Sequence, residues 1–331
     1  MVGATGAVGR QIIECLEERG FPVGSVRFFA SPLSVGQVLE FRDEPVVVEE
    51  LRSASFAGID IVFFAAGREQ SLEFCPAVHA AGAVCIDCSA AWRMDHDVPL
   101  VVPEVNPQDI ALYTRKGIVA NPGSAVLQLV LALKPLHDAA RIRRLVVATY
   151  KAVSGNGRKA VEELRAQSGE LLNGRPAPAK VFPHQVAFNV LPQDDEFLDN
   201  GYTREEMALL HESRKILGAA DLEVTATAAW VPVFYGHSEA VNVESEEPLP
   251  PERARELLAA APGIQVVDSA AEGGYPMPVD AGGQDRVYVG RLREDTSVPH
   301  GLNLWIVADN LRKGAATNCV QIAEVLTQTY L

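Results

Sequence analysis

The feature that most constrains the fold is a series of glycines at the start of the chain, in MVGATGAVGRQIIECLEERG. Gly3, Gly6 and Gly9 have the spacing G-x-x-G-x-x-G, and a segment with an amphipathic helical pattern follows them. Glycines in this arrangement let a turn pass close to a pyrophosphate that sits at the helix N-terminus. We therefore expect a dinucleotide to bind here, in contact with Gly3, Thr5, Gly6, Ala7 and Val8.

The segments after this turn alternate between strand and helix patterns. The stretches SVRFFAS, IDIVFFAAG and AGAVCIDCS indicate strands, and helical segments separate them. This alternation predicts an α/β fold with a doubly wound, Rossmann-type parallel sheet, which strengthens the nucleotide interpretation of the glycines. Only Met1 and Val2 precede the glycines, which is too little for a complete first strand and suggests that the sequence begins inside a longer natural chain.

The identity of the nucleotide depends on the end of the second predicted strand. Units that bind NAD commonly have an acidic residue there, but this sequence has ASPLSVGQ. The hydroxyls of Ser31 and Ser34 can bind a 2′-phosphate, which favours NADP without excluding NAD. The alternative is that the two serines only cap a turn, and the sequence leaves both interpretations open.

The composition argues against several other classes of protein. The chain of 331 residues has a formal net charge of −14 at pH 7, and binding to nucleic acid phosphates needs a basic face. No apolar run is long enough to cross a bilayer, so no membrane partner is expected. The five cysteines are odd in number and lack framework spacing, which indicates reduced thiols in a cytoplasmic protein and no metal site.

A second constraint comes from NPGSAVLQLVLALKPLHD, residues 121–138. The loop runs directly into a predicted amphipathic helix, so that Ser124 lies near the helix N-terminus. Unpaired backbone N–H groups and the helix dipole favour negative charge at that position. Ser124 therefore stands where an enzyme would place a nucleophile or bind an oxyanion.

A family resemblance rests on motifs along essentially the whole chain. They include GATGAVG, AAWRMDHDVPLVVPEVNP, NPGSAVLQLVLALKPLHD, TYKAVSGNG, HESRKILG, VPVFYGHSEAVNV and LNLWIVADNLRKGAA. Together these resemble the bacterial aspartate-β-semialdehyde dehydrogenases. The resemblance implies a Rossmann domain of residues 1–123 and 312–331, and an α+β domain of residues 124–311 for catalysis and formation of a homodimer.

The resemblance also implies a reaction and a set of site residues. The family reaction is reductive dephosphorylation of β-aspartyl phosphate by NADPH, through a cysteine thioester and with a histidine as acid and base. His237 matches that histidine, and Arg93 matches the arginine that binds phosphate. Further implied contacts are Asn121, Glu212 and Lys215 for the small-molecule substrate, and Ser154, Gly155 and Asn310 for the cofactor.

Other positions depart from the family pattern. The replacements are Ser124 for the cysteine, Gly123 for an asparagine, Lys151 for a glutamine, Trp230 for the arginine that clamps the substrate carboxylate, Leu33 for a nucleotide-phosphate arginine and Cys88 for an asparagine near the substrate phosphate. A serine hydroxyl is a weak nucleophile without a base, and its ester is a poorer hydride acceptor than a thioester. Acylating activity is therefore expected to be weak or absent.

The three other replacements near the substrate each allow more than one interpretation. Trp230 either fills a disused pocket or shapes a new one for a less polar group. Lys151 can pair with Glu212, protonate a substrate, or form a Schiff base if burial lowers its pKa; alternatively, it only extends to solvent or makes a structural salt bridge. Cys88 is either a spare thiol in the pocket or a small buried residue.

Three functions follow from these departures. The favoured one is a repurposed protein that binds a nicotinamide nucleotide and performs non-acylating chemistry on a small amino-acid-derived metabolite, with Ser124, Lys151 and His237 as catalytic candidates. The second is a non-catalytic binding or partner protein. The third is an NADP-dependent aspartate-semialdehyde dehydrogenase with altered catalytic residues.

Overall fold

The computed structural model describes residues 1–269 and 273–331, which belong to two compact units. The first unit spans Met1–Gly123 and Ala315–Leu331, and the second spans Ser124–Gly314. In chain order the elements are α1 (Ala7–Glu18), β1 (Phe28–Ala30), β2 (Val38–Phe41), β3 (Glu44–Glu50), β4 (Ile61–Phe64), α2 (Arg68–Ala80), β5 (Val84–Asp87), β6 (Ile118–Ala120), α3 (Ser124–Ala140), β7 (Ile142–Ala152), α4 (Arg158–Leu172), α5 (Arg204–Leu217), β8 (Glu223–Val231), β9 (His237–Ser245), α6 (Pro251–Ala260), β10 (Ile264–Val266), α7 (Pro278–Ala281), β11 (Val287–Asp295), β12 (Gly301–Ala308) and α8 (Asn318–Thr329).

The first unit has the predicted parallel sheet. β4, β5 and β6 pair in parallel, and β1 pairs in parallel with β3. Val2 joins the two groups, because it forms parallel bridges to both Phe29 and Phe64. Val2 thus lies between β1 and β4, and the α/β prediction for this region is confirmed.

Two helices from opposite ends of the chain pack in the core of the first unit. α1 buries its apolar face, which includes Ile12 and Leu16. α8 contributes Cys319, Ala323 and Leu326 to the same hydrophobic cluster. The C-terminal segment is therefore an integral part of this unit, although it is remote from it in the sequence.

The second unit is built on a six-stranded mixed sheet in the order β10-β11-β12-β9-β7-β8. β7 pairs in parallel with β8 and antiparallel with β9, and β9 pairs antiparallel with β12. Because side chains alternate across a strand, this register places Thr149, Lys151, Trp230, His237 and Glu239 on the same face of the sheet.

Helix α3 covers that face, and its burial differs from the prediction. The helix begins at Ser124 as expected, but it is not amphipathic, because residues 125–133 are all buried. A helix that is apolar on all sides is covered on all sides, and here β7, β9, β12, α5 and α6 contact it. The reason is visible in the sequence AVLQLVLAL, in which Gln128 is the only polar residue.

The opposite face of the sheet is more open. Val146 and Tyr150 on β7 are 36% and 37% exposed, and the Tyr150 ring packs on Trp305 of β12 with their centroids 5.5 Å apart. No helix in the described ranges 1–269 and 273–331 is long and apolar enough to cross a membrane.

Candidate functional site

The glycine turn of the first unit is shaped to receive a phosphate group. Gly3 has φ +78°, and a Cβ atom there would lie 2.4 Å from the carbonyl oxygen of Ala65. A Cβ atom on Gly9 would lie 2.2 Å from the carbonyl oxygen of Gly3. Gly6 directly precedes α1 and has no side chain that could cap the first N–H groups of the helix. The cradle therefore fits a nucleotide pyrophosphate at a helix N-terminus.

The loop after β1 brings Ser34 to this turn. The Thr5 hydroxyl donates to Ser34 Oγ at 3.3 Å, whereas Leu33 between the two serines is 94% exposed. The side chain of Ser31 makes no capping hydrogen bond to the described turn that follows it. The capped-turn interpretation thus has no support at Ser31, and the choice of nucleotide stays a prediction.

Arg93 is anchored at the carboxyl ends of the parallel strands. Its Nε donates to the carbonyl oxygen of Asn121 at 3.0 Å, and a terminal nitrogen donates to that of Cys88 at 3.1 Å. Asn121 in turn accepts from the amide of Asn318 at 2.8 Å. The structure therefore brings Arg93, Asn121 and Cys88 together, and their role in substrate binding stays a prediction.

Cys88 itself is partly buried and lies against another thiol. Its Sγ is 3.1 Å from that of Cys319, and it packs on the hydrophobic core of the first unit. These contacts favour the interpretation of Cys88 as a small packed residue.

In the second unit, His237 is completely buried and held by the backbone. Its Nδ1 accepts the N–H of Ala152 at 3.1 Å, which assigns the proton of the neutral ring to Nε2. Nε2 has no hydrogen-bond partner among the described residues. Burial, reinforced by the positive charge of Lys151, lowers the pKa of His237 well below its usual range. The ring is therefore a neutral hydrogen-bond donor at physiological pH.

Gly155 and Trp230 lie against the His237 ring. A Cβ atom on Gly155 would be 3.2 Å from His237 Nε2 and 3.3 Å from the tip of the Trp230 indole. Trp230 is itself buried and packs edge-on against Phe182, with ring centroids 5.4 Å apart. It also lines a cleft of about 410 Å³. Trp230 is thus a core residue that also forms a wall of the cleft, and both sequence interpretations of it stay predictions.

Lys151 lines the same cleft and is bound to two carboxylates. Its Nζ is 2.6 Å from Glu205 and also forms an ion pair with Asp194, and it lies 5.3 Å from the centre of the Trp230 ring. Burial alone lowers the pKa of Lys151, but the charges of Glu205 and Asp194 more than reverse this, and the pKa is raised. The Schiff-base interpretation, which requires a lowered pKa, is therefore wrong, and the structural salt bridge is what forms.

Local structure explains how the two carboxylates reach Lys151. Leu191 forms two backbone hydrogen bonds with Trp230, at 2.9 and 3.0 Å, which fixes the loop that carries Asp194. Glu206 caps α5 with Thr203 and accepts the N–H of Ala228 on β8 at 2.8 Å. The first turn of α5, and with it Glu205, is thereby tied to the sheet next to Lys151.

The predicted cofactor residues of the second unit are also brought together. Ser154 Oγ donates to Asn310 Oδ1 at 3.1 Å, and the N–H of Gly236 donates to the same oxygen at 3.0 Å. Gly236 has φ +89°, and a Cβ there would be 3.1 Å from Pro278. Asn310 therefore fixes the turn before His237 relative to the turn that contains Gly155.

Ser124 is the first residue of α3 and is partly buried. A Cβ atom on Gly314 would lie 2.8 Å from the Cβ of Ser124. Residue 314 must therefore be a glycine for the backbone to pass this close to Ser124. Glu212 is buried and Lys215 is partly buried, both on α5.

Sequence reasoning did not identify Asp194, Glu205, Glu239 or Gln128. Asp194 and Glu205 lie in a loop and at a helix start, where carboxylates are common. Gln128 was detectable, because it is the only polar residue within residues 125–133, whereas Glu239 stands in HSEAVNVES, where polar residues are frequent.

Comparison with known proteins places this architecture among the semialdehyde dehydrogenases. A family model described as the NAD binding domain of semialdehyde dehydrogenase matches residues 1–113, and one described as its dimerisation domain matches residues 133–313. The aspartate-semialdehyde dehydrogenase of Aquifex aeolicus is 51% identical over 99% of this chain and 97% of its own length. That of Legionella pneumophila is 52% identical over 100% and 96%.

A solved structure agrees with these relatives. The crystal structure of aspartate semialdehyde dehydrogenase II from Vibrio cholerae, described as complexed with ASA, has a TM-score of 0.97 and 46% identity, and covers 100% of this chain and 98% of that one. The chain therefore belongs to the semialdehyde dehydrogenase family. The expectation of a repurposed or non-catalytic protein is wrong, because relatives that are half identical over the full length are aspartate-semialdehyde dehydrogenases.

Proposed function

We propose that this protein is an NADP-dependent aspartate-semialdehyde dehydrogenase in which Ser124 stands at the nucleophile position. The observation that carries the proposal is the full-length similarity to enzymes of that name, at 51% and 52% identity. The family resemblance supports it, because His237, Arg93, Glu212 and Lys215 match the acid/base and substrate residues that the resemblance implies.

The nucleotide would be held by the glycine turn of residues 3–9 in the first domain. When bound, it supplies the hydride chemistry. We assign nucleotide binding to the domain of residues 1–123 and 312–331, and catalysis to the domain of residues 124–311. NADP is favoured over NAD because the loop after β1 offers the hydroxyls of Ser31 and Ser34 and no carboxylate that would repel a 2′-phosphate.

His237 acts as a hydrogen-bond donor to the reacting carbonyl. Its Nδ1 is engaged by the N–H of Ala152, so the Nε2 proton is the one available to a substrate oxygen. In this tautomer Nε2 has no lone pair to accept the proton of Ser124. The serine hydroxyl is consequently a weak nucleophile, and we expect slow turnover.

Two substitutions at position 124 test the proposal. The rate of NADPH formation is measured with aspartate semialdehyde, phosphate and NADP⁺. Ser124→Cys should raise the rate by at least about tenfold, because a thiolate at a helix N-terminus is accessible near neutral pH. Ser124→Ala should reduce it to background. Absence of turnover in both the natural protein and Ser124→Cys, or full activity in Ser124→Ala, would contradict the proposal.

We further infer that the second domain forms a homodimer through the open face of its sheet. The family model that matches it is described as a dimerisation domain, and Val146 and Tyr150 leave apolar surface on that face. Sedimentation analysis should give twice the monomer mass, and Tyr150→Glu should shift the protein toward monomer. Leu172→Glu, at an exposed site on α4, is the matched control. A natural protein that sediments as a monomer would refute the inference.

A cytoplasmic location is also proposed. All five cysteines are free, and the Sγ atoms of two pairs, Cys75 with Cys85 and Cys88 with Cys319, are only 3.1 Å apart. Thiols this close form disulfides readily in oxidising compartments. Titration of protein freshly isolated from the cytoplasmic fraction should find five free thiols, and recovery of the protein mainly outside that fraction would contradict the location.

A further inference from the structure

A cluster of buried polar groups lies between helix α3 and the central sheet. Glu239 of β9 and Gln128 of α3 are 0% and 1% exposed. Thr149 of β7 is directly opposite Glu239 in the antiparallel ladder, so their side chains are neighbours on one face. None of the polar side-chain atoms of these three residues has a hydrogen bond of normal geometry to another described residue.

The cluster is placed between the two elements that carry the reacting groups. Gln128 is one turn after Ser124 on α3, and residues four apart lie on the same side of a helix. Glu239 is two residues after His237 on β9, so the two side chains lie on the same face of the sheet. A contact between Gln128 and Glu239 therefore joins the helix of Ser124 to the strand of His237.

The protonation state of Glu239 determines which hydrogen bonds it can form with Gln128. Burial raises the pKa of Glu239 well above its usual range, and the Gln128 amide and the charge of Lys151 lower it only in part. A buried carboxylate without a paired cation is strongly unfavourable. Glu239 is thus a neutral acid, with one O–H donor and one carbonyl acceptor, and an amide offers the complementary acceptor and donor.

We propose that Glu239 is a positioning residue, which pairs as a carboxylic acid with the Gln128 amide and so fixes the strand of His237 against the helix of Ser124. In this pairing the acid O–H would donate to the amide oxygen and the amide N–H to the acid carbonyl, which would satisfy the groups that have no hydrogen bond of normal geometry among the described residues. The role rests on the proposed dehydrogenase function, but the pairing itself does not. Replacement of the acid by an apolar group leaves the Gln128 amide buried and unpaired, which loosens the contact between α3 and β9.

Kinetics of two substitutions at position 239 test the role. Glu239→Leu should lower kcat by about tenfold to a hundredfold, because small displacements of reacting groups have effects of that size, while KM stays within about twofold. Glu239→Gln keeps a neutral donor and acceptor and should retain most of kcat. Ser245→Ala removes another buried polar group of β9, one that donates to the carbonyl oxygens of Glu247 and His300 at the far end of the strand, and should lower stability without changing kcat.

Two spectroscopic measurements test the pairing whether or not the protein turns over aspartate semialdehyde. Infrared difference spectra of the natural protein and Glu239→Gln at neutral pH should contain the C=O band of a protonated carboxylic acid. The ¹⁵N resonances of His237 should change in Glu239→Leu and stay nearly unchanged in Glu239→Gln. A carboxylate band, unchanged His237 resonances in Glu239→Leu, or equal loss of kcat in both variants would overturn the proposal. If the natural protein forms no NADPH, the proposed function is refuted. The spectroscopic measurements then decide by themselves whether Glu239 pairs with Gln128.

Discussion

At the scale of single residues, the site depends on two glycines as much as on its functional groups, because a Cβ atom at either position would crowd its neighbours. Gly155 allows the His237 ring and the Trp230 indole to approach the same turn, and Gly236 allows the chain to pass Pro278 just before His237. The orientation of His237 is thus set by the hydrogen bond that it accepts from Ala152 and by this close packing. Small changes next to the ring should therefore have large effects on the reaction.

Substitution of Gly155 by alanine should lower kcat by about tenfold or more, because the new methyl group would lie 3.1 to 3.3 Å from the His237 ring and Trp230 and displace the ring. Steady-state kinetics measure the effect. Gly169→Ala in α4 is the matched control, since its Cβ meets no atom within 4 Å, and it should stabilise the helix by about 0.5–1 kcal/mol without changing kcat. Equal kcat in Gly155→Ala and the natural protein would show that the ring position is not restricted in this way.

The buried Glu239 should make stability depend on pH. The unfolded chain releases this proton above pH ~4.3, whereas the folded protein keeps it, because burial raises the pKa of Glu239. The free energy of unfolding therefore decreases as pH rises through this window, by up to about 1.4 kcal/mol per pH unit. His237 acts in the opposite sense below pH ~6.5, because burial lowers its pKa.

Comparison of the natural protein with Glu239→Gln isolates the effect of the carboxyl group. Urea denaturation between pH 5 and pH 9 should show that the variant gains stability over the natural protein as the pH rises. A difference that stays constant across this range would mean that Glu239 has the same pKa in the folded and unfolded states.

At the scale of elements, the Lys151 ion pair connects three parts of the second domain. Lys151 extends from β7, Asp194 from the loop that pairs with β8, and Glu205 from the start of α5. All three side chains are less than one fifth exposed. Removal of the cation would leave two buried carboxylates next to each other, so the arrangement is stabilising only as a complete set.

Lys151→Met should lower the free energy of unfolding by about 3–5 kcal/mol, as expected when one partner of a buried ion pair is removed. Urea denaturation measures the change. Lys134→Met removes an exposed lysine whose pair is Asp138 on the same helix, and should change stability by less than about 1 kcal/mol. Similar values for the two variants would show that the Lys151 pairs contribute no more than surface ion pairs.

The elements also show which features could be predicted from sequence. Glycine spacing and strand alternation predicted the sheet of the first domain, because both patterns are local. The burial of α3 on all sides was missed, although the apolar run around Gln128 indicated it. The partners of Lys151 could not be predicted, because Asp194 and Glu205 reach it only through the pairing of Leu191 with Trp230 and the capping of α5 by Glu206, and these contacts follow from tertiary structure.

At the scale of the whole molecule, the two compact units correspond to two tasks in the proposed reaction. A ligand that binds only the folded state stabilises it by mass action. The thermal stability of the protein with each nucleotide therefore measures cofactor preference without catalysis. The result does not depend on the reactivity of Ser124.

NADP⁺ should raise the melting temperature more than NAD⁺ at the same concentration, and at a hundred times its Kd it should stabilise the fold by about 2.7 kcal/mol. Thermal denaturation monitored by circular dichroism measures both shifts. The double substitution Ser31→Ala and Ser34→Ala should reduce the shift with NADP⁺ and leave that with NAD⁺ unchanged. A larger shift with NAD⁺ would assign the other nucleotide.

The contact between Gly314 and Ser124 has a consequence for protein engineering. The glycine faces the β-carbon of residue 124, and serine and cysteine have the same β-carbon. A thiol can therefore be introduced at the start of α3 while the β-carbon that faces Gly314 stays the same. Serine and cysteine differ only in the γ atom, so the chemistry of residue 124 depends on whether that atom is oxygen or sulfur.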